Sequence, residues 1–259
     1  MEIFSWNVAF LPLGLAENWT AFSPWPERVE KVGAVILKAD ADLVLLQEVY
    51  DDDAARELIR RLEGRYAYFY YSIGSSRIGE KSGLFVASKF PLKNARFTLY
   101  KAKKNNLESF FVGKGFFDFE LFVGETKAMH VFVTHLQHSE NDLAPVVLDQ
   151  KLRQKQLSQL FLAVKDETAP VLIAGDLNMA PEECRAAFKT QKNFQNFLLS
   201  RTETPKTAVI QVEKATAEVT LDYVFFKPGR LKAFLLTRVL ASDGLSDHRP
   251  LKSSLNFSF

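Results

Sequence analysis

Five segments of this chain bring an apolar run up against polar side chains able to bind a cation or move a proton. "IFSW" ends at Asn7, "LVLL" at Gln47 and Glu48, "VFVT" at His135, and "VLIA" leads through Gly175 to Asp176 and Asn178; "SDHRP" sets Asp247 and His248 before a terminal strand. Ligands of α/β sheets bind at the carboxyl ends of strands, so tips of this kind can converge on one rim. Oxygen donors gathered there suit a hard cation, Mg²⁺ or Mn²⁺, better than zinc. Histidines beside them suit chemistry on a phosphate, where charge must be neutralised and protons moved. Singly, each residue has a bland reading: Asn7 as a turn residue, Glu48 as a solvated acid, Gly175-Asp176 as a common turn, His135 as a core histidine. Asp222 in "TLDYVFF" resists one, because an acid inside an apolar strand needs a partner, and His248 is a natural one.

The elements that must position these side chains follow from the apolar periodicity. Short buried strands are expected at Ile3–Trp6, Leu43–Leu46, Val131–Thr134 and Val171–Ala174. "YAYFYYSIG", "GLFVASKFPL", "RFTLYKA", "GKGFFDFELFV", "VTLDYVFFK" and "RLKAFLLTRVL" read as further strands, and the chain closes on one more. A helix starting at Pro26 carries Val29, Val32, Val35 and Ile36 on one stripe. "DDDAARELIRRLEG" opens on acids and closes on Arg and Gly, and helices are also expected over Leu143–Val164 and most of Glu182–Leu199. Strands interleaved with helices, without repeat or linker, point to a layered α/β fold and one domain spanning residues 1–259.

Bulk properties narrow the class. The chain has 259 residues, 47% hydrophobic and 25% charged, with 23 Phe to fill a core. A net charge of +2 is too mild to announce a nucleic-acid binder. One cysteine, Cys184, leaves no disulfide framework and no thiolate zinc cluster. No apolar stretch approaches the ~18 residues of a membrane helix, and the amino terminus has no signal-peptide pattern. A soluble, cytoplasmic chain is expected, with a monomer favoured.

In order along the chain, "FSWNV", "LLQEVY", "SGLFVASKFPL", "VFVTHLQH", "AGDLNMAP", "TLDYVFF" and "LSDHRPL" resemble the motif series of the endonuclease/exonuclease/phosphatase superfamily. The resemblance runs from Ile3 to the carboxyl end. It implies an α/β (α+β) fold: a four-layer, DNase-I-like sandwich of two packed mixed β-sheets flanked by helices, with the site at one edge. It also implies metal-dependent hydrolysis of phosphoester bonds. Glu48 matches the principal Mg²⁺ ligand, with Asn7 beside it and Asp247 near the metal. Asp176 and Asn178 match the pair that orients the attacking water and contacts the phosphate. Asp222 matches the acid that positions the catalytic histidine, His248. Either Asp176 or His248 could take the proton of that water. His135 matches a histidine of the DNase-I-like, sphingomyelinase-like and inositol 5-phosphatase-like branches, where the exonuclease-III-like branch generally has a tyrosine.

Three further cues resemble the neutral-sphingomyelinase branch. They are Lys114-Gly115 in "SFFVGKGFFDFEL", the "THLQH" segment ending at His138, and the aromatic loop "LPLGLAENWTAFSPWPERV". They imply a phosphoester substrate with a phospholipid headgroup, such as sphingomyelin, contacted by Lys114 and His138. Trp19, Phe22 and Trp25 either pack beneath their loop or meet a bilayer interface, which would make membrane contact peripheral. The signal peptides and disulfides of secreted bacterial sphingomyelinases are missing, as are the membrane spans of eukaryotic ones. A nuclease, or an inositol-polyphosphate 5-phosphatase-like enzyme, is the alternative on the same core, and Lys101, Lys103 and Lys104 are the obvious basic cluster for nucleic acid. A catalytically silent phosphate- or lipid-binding module is the alternative of another class, and the intact polar set argues against it.

Overall fold

The computed structural model describes residues 1–12, 23–74, 81–104, 112–139, 147–189, 198–199, 206–212 and 215–258. In chain order the strands are β1 (Glu2–Phe10), β2 (Leu43–Val49), β3 (Tyr68–Tyr70), β4 (Phe85–Ser88), β5 (Leu92–Leu99), β6 (Gly115–Val123) and β7 (Thr126–His135). They continue as β8 (Val171–Asp176), β9 (Leu198–Leu199), β10 (Ala208–Val212), β11 (Ala215–Val219), β12 (Asp222–Lys227), β13 (Lys232–Val239) and β14 (Leu251–Ser258). The helices are α1 (Trp25–Ala39), α2 (Asp52–Leu62), α3 (Val147–Val164) and α4 (Pro181–Lys189). Two six-stranded mixed sheets form, in the orders β13-β14-β1-β2-β4-β3 and β5-β6-β7-β8-β12-β9, and β10-β11 is a separate hairpin.

Strands apolar on both faces dictate the layering. Along β2, Leu43 and Leu45 enter a core between the sheets, whereas Val44 and Leu46 face the helices. The period of two sorts Val131 and Val133 from Phe132, and Leu172 and Ala174 from Val171 and Ile173, in the same way. The central core therefore lies sheet on sheet, with Phe117, Phe119 and Phe226 among its rings. A second core joins Phe4, Trp6 and Phe85 to Val29, Val32 and Ile36 of α1 and Leu58 and Leu62 of α2. A third joins Phe116, Phe132 and Phe225 to Leu157, Leu160 and Val164 of α3 and Cys184 of α4. Each fully buried Leu or Phe contributes roughly 1.5–3 kcal/mol. The result is the four-layer, two-sheet sandwich that the motif series implied.

Local signals set the helix ends. Pro26 opens α1, and Asp40 closes it in the left-handed conformation. Asp51 Oδ1 caps α2 by accepting from the backbone N–H groups of Asp53 and Ala54.

Several boundaries differ from the sequence expectation. Of the helix expected over Glu182–Leu199, the described part through Lys189 is helical, residues 190–197 lie outside the described residues, and Leu198–Leu199 instead pair as a strand with Phe226 and Phe225. A short apolar run carries no period that separates strand from helix. The β10-β11 hairpin was not anticipated. "VTLDYVFFK" is not one strand: Val219 ends β11 and Asp222 begins β12. Of the aromatic loop, Trp19 and Phe22 lie outside the described residues, while Trp25 is buried in α1's core.

Candidate active site

Strand register, more than any single loop, gathers the polar tips. His135 pairs with Asp176 across the parallel strands β7 and β8, and Asp176 pairs with Asp222 across the antiparallel strands β8 and β12. These three side chains therefore form one row at the rim of the second sheet. In the first sheet Asn7 pairs with Gln47 across parallel β1 and β2, and Glu48 follows. Asp247 and His248 sit in the turn that leads into β14.

Close approach of the backbone fixes one residue type. Gly175 has φ 142°, and a Cβ there would stand 1.9 Å from the Thr134 carbonyl oxygen. Only glycine lets β8 carry Asp176 this near β7. Ala9, Glu48 and Asn178 have φ values of 49°, 60° and 50°, a region costly for Ala and Glu, and such strain concentrates at functional rims.

The contacts make one continuous cluster. Asn7 Nδ2 donates to Glu48 Oε1 at 2.9 Å and to Asp176 Oδ2 at 3.2 Å. Two imidazoles approach the same oxygen of Asp176, with His135 Nε2 and His248 Nε2 each 3.6 Å from Oδ2. His135 Nε2 is also 3.8 Å from Glu48 Oε1. His248 Nδ1 lies 2.8 Å from Asp222 Oδ2. Asp176 Oδ1 accepts from the Asn178 N–H at 2.8 Å, and Asn178 Nδ2 turns to the Leu136 carbonyl at 3.1 Å. Buried Lys114 puts Nζ 2.9 Å from His135 Nε2. Asp247 Oδ1 lies 3.2 Å from Ser246 Oγ. His138 is half-buried three residues beyond His135. Of the basic cluster, Lys104 pairs with Asp149 at 3.1 Å.

Electrostatics divide the two histidines. Burial, with the charge of Lys114 added, drives His135 well below the ordinary histidine range, so its ring is neutral. Burial also works against charge on His248, but attraction to Asp222 and Asp176 outweighs it and holds His248 well above that range. Burial pushes the Asp176 carboxyl up to about 7; His248 opposes the shift and the Asp222 charge adds to it.

A supporting shell escaped sequence reasoning. Thr207 Oγ donates to Asp222 Oδ2 at 2.6 Å while accepting from the Leu221 and Asp222 N–H groups. Trp6 Nε1 donates to the His248 carbonyl at 2.9 Å. Arg153 forks onto Glu183 and also donates to the Gln137 carbonyl and Ser139, bracing the loop beyond His135. Arg28 is buried under the opposite side of the rim. Both arginines are charges inside apolar helical patterns, a signal open to sequence reading; Thr207 gives none.

Asp176, Asp222 and His248 offer ligand atoms within 4.8 Å of one another. Asp222 Oδ2 is already engaged by Thr207 and His248, so this trio reads as a hydrogen-bonded relay rather than an open cage. Glu48 is the accessible carboxylate, its side chain 24% exposed against 1% for Asp176. Its carboxylate oxygens, joined to the Asp176 carboxylate through Asn7 Nδ2, are hard donors of the kind a divalent cation takes.

The two-sheet sandwich with its polar rim has the DNase-I-like form. The chain belongs to the endonuclease/exonuclease/phosphatase family, whose model matches residues 4–248. It is 26% identical over 203 residues to a phospholipase C of Staphylococcus aureus, covering 69% of this chain and 57% of that one. Over 199 residues it is 26% identical to a sphingomyelinase C of Bacillus cereus, with the same 69% and 57% coverage. The chain thus spans little more than half the length of these curated relatives. Among solved structures, the beta toxin of Staphylococcus aureus superposes with a TM-score of 0.79 at 22% identity, covering 98% of this chain and 99% of that one. A variant of that toxin solved with bound magnesium ions gives 0.72 at 22% identity, covering 97% and 98%. Among the described residues no helix is long and apolar enough to cross a membrane.

Proposed function

We propose that this chain is a Mg²⁺-dependent phosphodiesterase that releases the phosphorylated headgroup of a phospholipid such as sphingomyelin. The observation that carries the reading is the pair of imidazoles at Asp176, each 3.6 Å from one carboxylate oxygen, one of them backed by Asp222. In-line displacement at phosphorus needs a proton removed from water on one side and a proton delivered to the leaving oxygen on the other. His248 suits the first task, because Asp222 on Nδ1 stabilises the imidazolium that forms and leaves Nε2 facing the cleft. Asp176 aligns the water, and Asn178, whose N–H braces Asp176, lies beside the phosphate. Lys114, whose Nζ is 2.9 Å from Nε2 of neutral His135, is the proton donor for the leaving oxygen, and the His135 ring holds the ammonium at the cleft.

A divalent cation held by Glu48, with Asn7 and Asp247 nearby, would offset charge on a non-bridging phosphoryl oxygen. An imidazolium accepts no proton, so His248 serves as base in its neutral form, and the Asp222 and Asp176 carboxylates that raise its pKa shift that form toward alkaline pH. Lys114 and His138 are the proposed substrate contacts. The names of the curated relatives support a lipid substrate.

The test is a substrate panel at saturating Mg²⁺, with and without chelator: sphingomyelin, lysophospholipid, phosphoinositide, plasmid DNA and abasic duplex. Headgroup release from the choline lipids, abolished by chelator and by Glu48→Gln with the fold intact, is the expected result. Cleaved DNA beside untouched lipid would overturn the lipid assignment. Full activity of Glu48→Gln would overturn the site.

A further inference from the structure

Arg28 feels the charges of Asp247 and Glu48, and its buried guanidinium donates to four main-chain carbonyls. Nε reaches Ser23 at 2.6 Å, Nη1 reaches Val8 at 2.8 Å and Leu245 at 2.5 Å, and Nη2 reaches Ala9 at 2.6 Å. The group also lies 5.1 Å from the centroid of the Phe10 ring. One side chain on α1 therefore ties together the end of β1 and the turn before β14, segments more than two hundred residues apart in the chain.

Both ties lead to site residues. Ala9, whose carbonyl Arg28 holds, sits at φ 49° and gives its N–H to Asn7 Oδ1 at 3.2 Å. That bond orients the carboxamide so that Nδ2 meets Glu48 and Asp176. Leu245, held by the other arm, precedes Ser246, whose Oγ donates to the Asn7 carbonyl at 2.7 Å and accepts from the His248 N–H at 3.1 Å. Released from Arg28, the left-handed Ala9 would relax toward ordinary backbone and swing Asn7, while the Leu245 turn would free His248.

We infer that Arg28 is a positioning residue: it locks the Asn7 turn to the Asp247–His248 turn, so that the amide that aims the carboxylates and the histidine that faces them keep one geometry. The inference rests on the function proposed above and names a determinant that lies behind the reactive side chains. Lysine cannot replace it, since a single ammonium has no planar fork to span separate carbonyls.

The experiment compares wild type, Arg28→Lys, Arg28→Gln and a control, Leu58→Ala, which weakens the α1/α2 core without touching either turn. Three readouts are taken on folded protein: kcat and KM for headgroup release, Mg²⁺ affinity by calorimetry without substrate, and amide exchange of residues 6–10 and 244–249. Misplacing reacting groups by about an ångström costs on the order of 100-fold, so both Arg28 variants should lose roughly 10- to 100-fold in kcat. KM should move by less than about threefold, the signature of lost alignment rather than lost binding. Mg²⁺ affinity should fall, the two peptides should exchange faster, and Arg28→Lys should recover only a part. Leu58→Ala should keep the wild-type kcat per folded molecule. Arg28 variants with wild-type kcat, or with losses that match the control, overturn the inference. If wild type cleaves no phosphoester, the functional reading fails separately, and unchanged exchange in Arg28→Gln then overturns the positioning role by itself.

Discussion

Replacing Asp222 with Asn tests the relay at one atom, and the structure says which way the amide will turn. Asp222 Oδ2 receives two contacts, from His248 Nδ1 at 2.8 Å and from the Thr207 hydroxyl at 2.6 Å. The hydroxyl hydrogen is committed to this acceptor because Thr207 Oγ already accepts two backbone N–H groups. In Asp222→Asn the carboxamide oxygen must therefore take the Oδ2 place, which keeps the proton on His248 Nδ1 and leaves Nε2 able to accept. Only the charge is lost. A hydrogen bond to a charged group contributes ~1.5–3 kcal/mol against ~0.5–1.5 for a neutral one, so roughly 1–1.5 kcal/mol of imidazolium stabilisation disappears. That predicts a loss in kcat of about 5- to 15-fold.

Adding Thr207→Val removes the donor that fixes the amide. The flipped amide nitrogen then donates to His248 Nδ1 and forces the proton onto Nε2, the atom facing Asp176. A wrong tautomer in a histidine–carboxylate couple costs on the order of 10⁴ in rate, so the double variant should fall at least another ~100-fold. Thr207→Val alone, with the charge intact, should lose only about fivefold, the worth of one ~1 kcal/mol hydrogen bond. The assay is headgroup release at saturating Mg²⁺, with circular dichroism and thermal melts to confirm folding. Additive losses in the double variant, or a kcat of Asp222→Asn within about twofold of wild type, would refute the reasoning.

Two further expectations concern stability. Gly175→Ala combines a φ of 142° with a Cβ placed 1.9 Å from the Thr134 oxygen. It should cost about 4 kcal/mol or more, read as a collapse in urea midpoint or soluble yield, and a melting temperature within about 2 °C of wild type would contradict it. His130 lies 3.1 Å from both Asp118 and Glu167 at the far end of β7. Burial works against its charge, but the hydrogen bonds and charges of those two acids prevail and raise its pKa. A raised folded pKa means stabilisation that is complete below the unfolded value of about 6.5 and is lost as pH climbs through the folded value. Urea midpoints should therefore fall across that window in wild type more than in His130→Gln, and parallel curves would remove the ion pair from the account.

The sequence by itself determined the layers and the reactive side chains. Strands such as "LVLL" and "VFVT" are apolar on both faces and must be covered on both; that a second sheet covers one of them was implied by the motif resemblance, and the packed cores bear it out. Glu48, His135 and Asp176 were legible because each follows an apolar run, Asn7 because it interrupts one, and His248 because it stands with Asp247 just before the last strand. Other features depended on partners distant in the chain. The edge strand at Leu198–Leu199 exists because β12 offers hydrogen bonds there, and nothing local marks it. Asp222 looked like an acid within a strand but opens one, a boundary drawn by Thr207. Tertiary structure alone decided that Arg28 spans two turns and that the His135 pKa is lowered while that of His248 is raised, because burial and field are sums over neighbours that no stretch of sequence contains.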